Sequence, residues 1–290
     1  MLSEASKDPF RTRDHVAEFD DVVDAFGESS RQTRQKLRSE TDVPYGDGPA
    51  EKLDIFYPPP AARQGRAGLP VHIFIHGGYW RMFSKDDFSY IADTVTAAGA
   101  IAVILDYALM PTQRMALLID QVRRATAWVA REIGSRGGDP FSTSVSGHSA
   151  GAHLASWLVD QRDAHPDYRV ATCLLLGGLY DLRPLQRSFL QPDLALTDEE
   201  VDRWTPLTVT HRADCIYSIH VGEYETTPFH DQAARFHQSL LNDGCTSALG
   251  TVPATNHMTS ALSLGNPASD VGKSLMSTIH KSQANCRPSK

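Results

Sequence analysis

The chain has 290 residues, 41% of them apolar and 22% charged, and a formal net charge of −7. That is enough apolar material for a large core in one α/β domain with room for a helical insertion. The charges are interspersed, with no basic stripe or block, which excludes a nucleic-acid surface and docking on anionic membrane.

The opening "MLSEASKDPFRTRDH" carries acids early and has no apolar h-region, so no secretory signal is expected and the cytoplasm is the expected location. No apolar run approaches the ~18 residues of a membrane span. Residues 13–40 are polar, but Val16, Phe19, Val22, Val23 and Phe26 recur at helical spacing, which predicts a leading helix followed by a loop. "EKLDIFYPPP" alternates Leu53, Ile55 and Tyr57 before its prolines and reads as an early edge strand. "AARQGRAGLP", at 61–70, reads as an exposed connection.

Short continuous apolar runs follow at 71–76, 101–107, 142–148, 172–178 and 215–222, as expected of parallel strands buried on both faces. Amphipathic stretches at 86–98, 113–135, 149–162 and 230–242 separate them, "TSALGTV" reads as a last strand, and a final helix is expected near 268–281. The alternation predicts one α/β domain over 1–290, a mostly parallel sheet of about eight strands flanked by helices. Residues 183–212 break the rhythm with helical pieces and three prolines. They are expected to form a small helical cap over the strand ends, the alternative being a plain crossover connection. Cys173, Cys215, Cys245 and Cys286 have neither CxxC nor zinc-like spacing and are expected as reduced thiols.

The chemistry concentrates at Gly147-His148-Ser149-Ala150-Gly151, a G-x-S-x-G between an apolar strand and a helical run. The pattern alone arises by chance; in strand–turn–helix context it predicts a nucleophile elbow. The serine must project from a sharp turn, and side chains two residues before and after it would clash. A serine hydroxyl needs a base oriented by a third group, and in this arrangement the acid and then the histidine follow the serine. His257, in the polar loop "PATNHMTSAL" after the last strand, is the expected base. His220 reads as a core histidine, and His230 and His237 as helix-surface or packing residues. Glu225, in "VGEYETTPF" just past the strand ending at 222, is the expected acid; Glu223 and Asp231 lie near it. Asp181, in "GGLYDLRP", is the other topological option and otherwise a turn acid. In "FIHGGYWRM", Gly77 and Gly78 can offer backbone N–H groups to an oxyanion beside that of Ala150, with His76 orienting the loop. Tyr79 and Trp80 either line an aromatic substrate pocket or pack the loop. No cofactor or metal is expected: His148 and His153 lack further ligands, and "GSRGGDP" is not a phosphate loop.

"HGGYW", "GHSAGAHLA", "GLYDLRPL", "VGEYET" and "NHM", in this order and after the lead-in "YGDGPAEKLDIFYP", resemble the kynurenine formamidase (arylformamidase) branch of the α/β-hydrolases. That branch stands beside the hormone-sensitive-lipase-like esterases, which usually have a third glycine where Tyr79 stands. The resemblance spans about residues 44–260. It implies hydrolysis of N-formylkynurenine to formate and the free arylamine, without metal or organic cofactor. It carries Ser149 over as nucleophile, Glu225 as acid, His257 as base, and Gly77, Gly78 and Ala150 as oxyanion loop and elbow. Glu225 stands where several members have Asp, and "TTPFHDQ" and "MTSALSLGNPASD" are not tied to that substrate. A carboxylesterase, or an amidase or carbamate hydrolase on another small aromatic substrate, is the alternative; a non-catalytic binding protein of the same fold is a third. The expected partners are a small aromatic substrate and, at most, a second copy of the chain as a homodimer.

Overall fold

Eight strands form one sheet in the computed structural model of the chain, which describes residues 7–63, 68–162 and 167–284. Cys286, His165 and the centre of the 61–70 connection lie outside the described residues. In chain order the strands are β1 (Ser39–Pro44), β2 (Lys52–Phe56), β3 (Leu69–Ile75), β4 (Ile101–Leu105), β5 (Gly138–His148), β6 (Thr172–Leu176), β7 (Ile216–Gly222) and β8 (Thr246–Val252). Their order across the sheet is β1-β2-β4-β3-β5-β6-β7-β8. β1 and β2 run antiparallel to their neighbours, and the six from β4 to β8 are parallel.

The pleat sends alternate side chains to opposite faces, and both faces are covered. Ile73, Ile75, Val103, Leu105, Val145 and Leu175 point to one core, closed by α3 (Met115–Glu132), α4 (Ala150–Ser156) and α7 (Thr227–Asn242). Phe74, Ala102, Ile104, Leu174 and Leu176 point to the other, closed by α1 (Phe19–Lys36), α2 (Ile91–Ala97), α8 (His257–Ser263) and α9 (Asp270–Ala284). This double burial is why the parallel strands read as continuous apolar runs.

One expectation needs correction. β2 is not at the edge, because β1 pairs outside it. The sequence of β1, "SETDVP", has exposed Thr41, Asp42 and Pro44 and almost no apolar alternation, so it read as loop. Its polar character and terminal proline suit an edge that must not recruit another strand.

The segment 183–212 is helical in pieces, as its pattern predicts: a 3-10 turn (Arg183–Arg187), α5 (Gln191–Leu194), α6 (Asp198–Trp204) and a second 3-10 turn (Pro206–Thr208). Pro184, Pro192 and Pro206 each stand in the first two positions of a piece, where a missing N–H costs nothing. Thr197 and Glu200 form a reciprocal cap that starts α6.

Candidate active site

Ser149 stands between the end of β5 and the start of α4 with φ 55° and ψ −120°. A positive φ in a residue with a Cβ costs about 1–2 kcal/mol, so the neighbours must hold it. Its N–H donates to the Leu176 carbonyl at 2.9 Å, and its carbonyl accepts from the N–H groups of Ala152 and His153. The flanking glycines are sterically required. A Cβ on Gly147 would lie 2.2 Å from the Gly151 oxygen, and one on Gly151 would lie 2.0 Å from the Ile75 oxygen. Ala150 opens α4, so its N–H has no partner inside the helix.

His257 is the first residue of α8, whose start is capped by the Asn256 side chain accepting from Met258 and Thr259 N–H. Its Nδ1 lies 2.6 Å from Glu225 Oε2, and both residues are buried. Glu225 sits in the turn after β7, and its other oxygen accepts from the Gly222 N–H at 2.8 Å. An ionised Glu225 therefore takes the Nδ1–H and leaves Nε2 as the basic nitrogen. Gly177, which sequence reasoning missed, makes room for the pair. It has φ 55°, and a Cβ there would meet Glu225 Oε1 at 3.0 Å and His257 Nδ1 at 3.1 Å. The paired "GG" after β6 was the only signal for it.

Several of the rival acids and histidines have other partners. Asp181 accepts from the Arg183 N–H and pairs with Arg235 at 2.9 Å, which makes it a turn acid. Glu223 accepts from the Ala254 N–H. His220 Nε2 is 2.9 Å from Ser218 Oγ on β7, and His237 Nδ1 is 2.8 Å from Ser247 Oγ. His148 packs its ring 4.6 Å from that of His257, with Nε2 3.0 Å from the His257 carbonyl. Burial first, and the nearby His257 second, push its pKa well below the ordinary histidine value. It is therefore neutral and donates from Nε2.

A family profile described as alpha/beta hydrolase fold matches residues 72–260, which contain Ser149, Glu225 and His257. The chain belongs to the α/β-hydrolase family. Kynurenine formamidase from Danio rerio is 30% identical over 251 residues, 82% of this chain and 82% of that protein. Kynurenine formamidase from Salmo salar is 28% identical over 257 residues, 84% of each. This hydrolase therefore falls in the kynurenine formamidase-like branch. Its fold is shared with a candidate thioesterase from Silicibacter sp. TM1040, at TM-score 0.81 and 24% identity over 94% of this chain and 98% of that one.

In this hydrolase a narrow cleft reaches both Ser149 and His257. Gly78, Tyr79, Met82, Phe83 and Phe88 line one side, and Thr12, Phe19 and Phe26 come from the N-terminal segment. No acidic side chain, lysine or arginine is among its lining residues. Gly77 lies against the elbow: a Cβ on it would be 2.8 Å from the His148 oxygen and 3.2 Å from Ser149 Cβ. Of the two aromatic residues after the glycines, Tyr79 lines the cleft and Trp80 does not. Trp80 is fully buried and donates its indole N–H to His153 Nδ1 at 3.2 Å, so the loop-packing alternative describes it. None of the lining residues comes from 183–212. His76 holds the loop as expected, with Nδ1 2.8 Å from the Gly77 oxygen. Among the described residues no helix is long and apolar enough to cross a membrane.

Proposed function

We propose that this protein hydrolyses a small aryl formamide of the N-formylkynurenine kind through a serine-bound formyl intermediate. One observation carries the reading: His257, held at 2.6 Å by the buried Glu225, lines the same cleft as a serine strained at the tip of a strand–helix elbow. Ser149 Oγ attacks the formyl carbon, and its proton passes to His257 Nε2. Glu225 stays ionised and steadies the imidazolium. The oxyanion is met by the N–H groups of Gly77, Gly78 and Ala150; one such donor is typically worth ~2.7–4 kcal/mol of barrier. The tetrahedral centre collapses with cleavage of the C–N bond, and His257 returns the proton to the leaving arylamine nitrogen. Water then attacks the formyl ester, His257 takes and returns its proton, and formate leaves with Ser149 restored. An apolar, aromatic cleft supports an aryl leaving group, and the formamidase relatives support the formyl group.

The test compares kcat/KM on N-formylkynurenine and on phenyl acetate, with Ser149→Ala as control. The expected outcome is a clear preference for the formamide and loss of both activities in a folded Ser149→Ala protein. Ready ester cleavage with little formamide turnover would move the assignment to an esterase. Wild-type-like rates in Ser149→Ala would remove the serine mechanism.

A further inference from the structure

The loop that follows β3 is strained beyond its glycines. Gly78 has φ 105°, and Tyr79, Trp80 and Phe83 have φ 50°, 58° and 71°. Left-handed backbone is unfavourable for bulky aromatic residues, so three of them in one loop persist only where their surroundings fix them. The loop pins itself in part: the Gly78 carbonyl accepts from Arg81 and Met82 N–H, and the Trp80 carbonyl accepts from Met110 N–H at 2.8 Å. Tyr79 Oη donates to the Phe10 carbonyl and Arg81 pairs with Asp193, and a further, fully buried hold is on the Trp80 side chain.

That hold is His153, one turn into the helix that Ser149 begins. The Trp80 indole stands edge-on to the His153 ring, centroids 5.0 Å apart, and donates to Nδ1. Accepting there forces the hydrogen onto Nε2, which lies 2.8 Å from the Trp204 carbonyl at the end of α6. The Trp157 indole nitrogen is 3.3 Å from the same Nε2, the longer of its two contacts. Burial holds the His153 pKa down, to about 4, so the ring remains a neutral donor–acceptor bridge. One imidazole thus joins the oxyanion loop, the nucleophile helix and the 183–212 insertion, and Trp80, His153 and Trp204 are all buried at the junction.

We propose that His153 and Trp80 are positioning residues, through which the insertion fixes the Gly77–Gly78 backbone at the distance from Ser149 that the oxyanion requires. The proposal rests on the reading of Ser149 as nucleophile and of Gly77 and Gly78 as oxyanion donors. It gives the insertion a catalytic purpose without a residue in the cleft, because the Trp204 carbonyl selects the tautomer that accepts from Trp80. A buried packing role alone would affect stability; a positioning role must also affect the transition state selectively.

The experiment compares wild type with Trp80→Phe, His153→Leu and His153→Gln. It measures kcat, KM, Tm and the Ki of phenylboronic acid, whose tetrahedral serine adduct presents an oxygen to the same donors. Trp80→Phe and His153→Leu are expected to lower kcat by about 100-fold and weaken phenylboronic acid by a similar factor, with KM within about twofold. His153→Gln, which keeps an acceptor toward Trp80 and a donor toward Trp204, is expected to recover most of that loss. Folded Trp80→Phe with wild-type kcat and boronate affinity would overturn the proposal, as would a loss confined to KM or a His153→Gln no better than His153→Leu. If His153→Leu does not fold, Trp80→Phe decides alone, since it keeps the buried ring and removes only the N–H and part of the indole. Fluorophosphonate labelling of wild type separates the two levels: no adduct on Ser149 overturns the nucleophile reading itself, whereas an adduct with unaffected variants overturns only the positioning role.

Discussion

At Gly177 a single methyl group would collide with the Glu225–His257 pair. Its φ of 55° disfavours any side chain, and the added Cβ would press on both Glu225 oxygens and on His257 Nδ1 at 3.0–3.1 Å. The carboxylate cannot retreat without giving up the Gly222 N–H or the imidazole. Gly177→Ala is therefore expected to lower kcat at least tenfold and to cost about 1–2 kcal/mol of stability from backbone strain. Steady-state kinetics with a urea melt checks this; unchanged kcat in the alanine variant would mean the pair is not held as described. The same position shows the reach of the sequence at this scale. Ser149 was legible because its elbow is a local pattern, with both clashing glycines within two residues. Glu225 and His257 were legible from their places after the last two strands. Gly177 was not, because what it touches comes from residues 225 and 257. Trp80 suggested a pocket wall by residue type, and only its burial against His153 decided otherwise.

The elements that roof the cleft are not the ones the sequence nominated. Periodicity located α1 and the helical pieces of 183–212, but it carries no information on which of them lies above Ser149. The roof is the N-terminal segment, which places Thr12, Phe19 and Phe26 on the cleft. It is strapped down at several points: Tyr79 Oη donates to the Phe10 carbonyl, Thr226 Oγ1 donates to the Pro9 carbonyl at 2.7 Å, and the Phe189 N–H donates to Asp8. Phe10 is buried and meets Phe229 edge-on at 6.0 Å, and Phe229 in turn lies 4.5 Å from the His257 ring. Truncating a buried phenylalanine removes roughly 3–5 kcal/mol of packing, more than a short strap is expected to hold in reserve. Phe10→Ala is thus expected to free the strap, raise KM and speed trypsin cleavage at Arg11 and Arg13, with kcat less affected. Unchanged KM and unchanged cleavage would show that the strap does not depend on Phe10.

Among the described residues, burial has stranded five histidines in their neutral form. His72 is held down to about 3, His153, His211 and His220 to about 4, and His148 well below its ordinary value, with burial the largest cause in each. Asp243 and Asp160 pull His211 the other way and are outweighed. In the unfolded chain these groups protonate near 6.5, so between about 6.5 and about 4 the unfolded state binds more protons than the folded one. The sign is then fixed: their contribution is complete above pH 6.5 and is lost as the pH falls toward the folded values. Each histidine removes stability as the pH falls through that window, and five acting together make the loss steep against a typical total of only about 5–15 kcal/mol. Glu51 is held down to about 2, first by its hydrogen bonds from Arg124, so its contribution is lost only below the ordinary carboxylate value near 4.5. The histidines should therefore give way first, and the Ser149 elbow with them, since His148 and His153 flank it. Urea midpoints at pH 8, 7, 6 and 5 are expected to be level between 8 and 7 and to fall steeply below 6.5. Glu51→Gln should lower every midpoint without changing the slope between 6.5 and 5. A midpoint that holds steady to pH 5 would mean that water or a partner reaches these rings, and that the core around the elbow is less dry than its packing indicates.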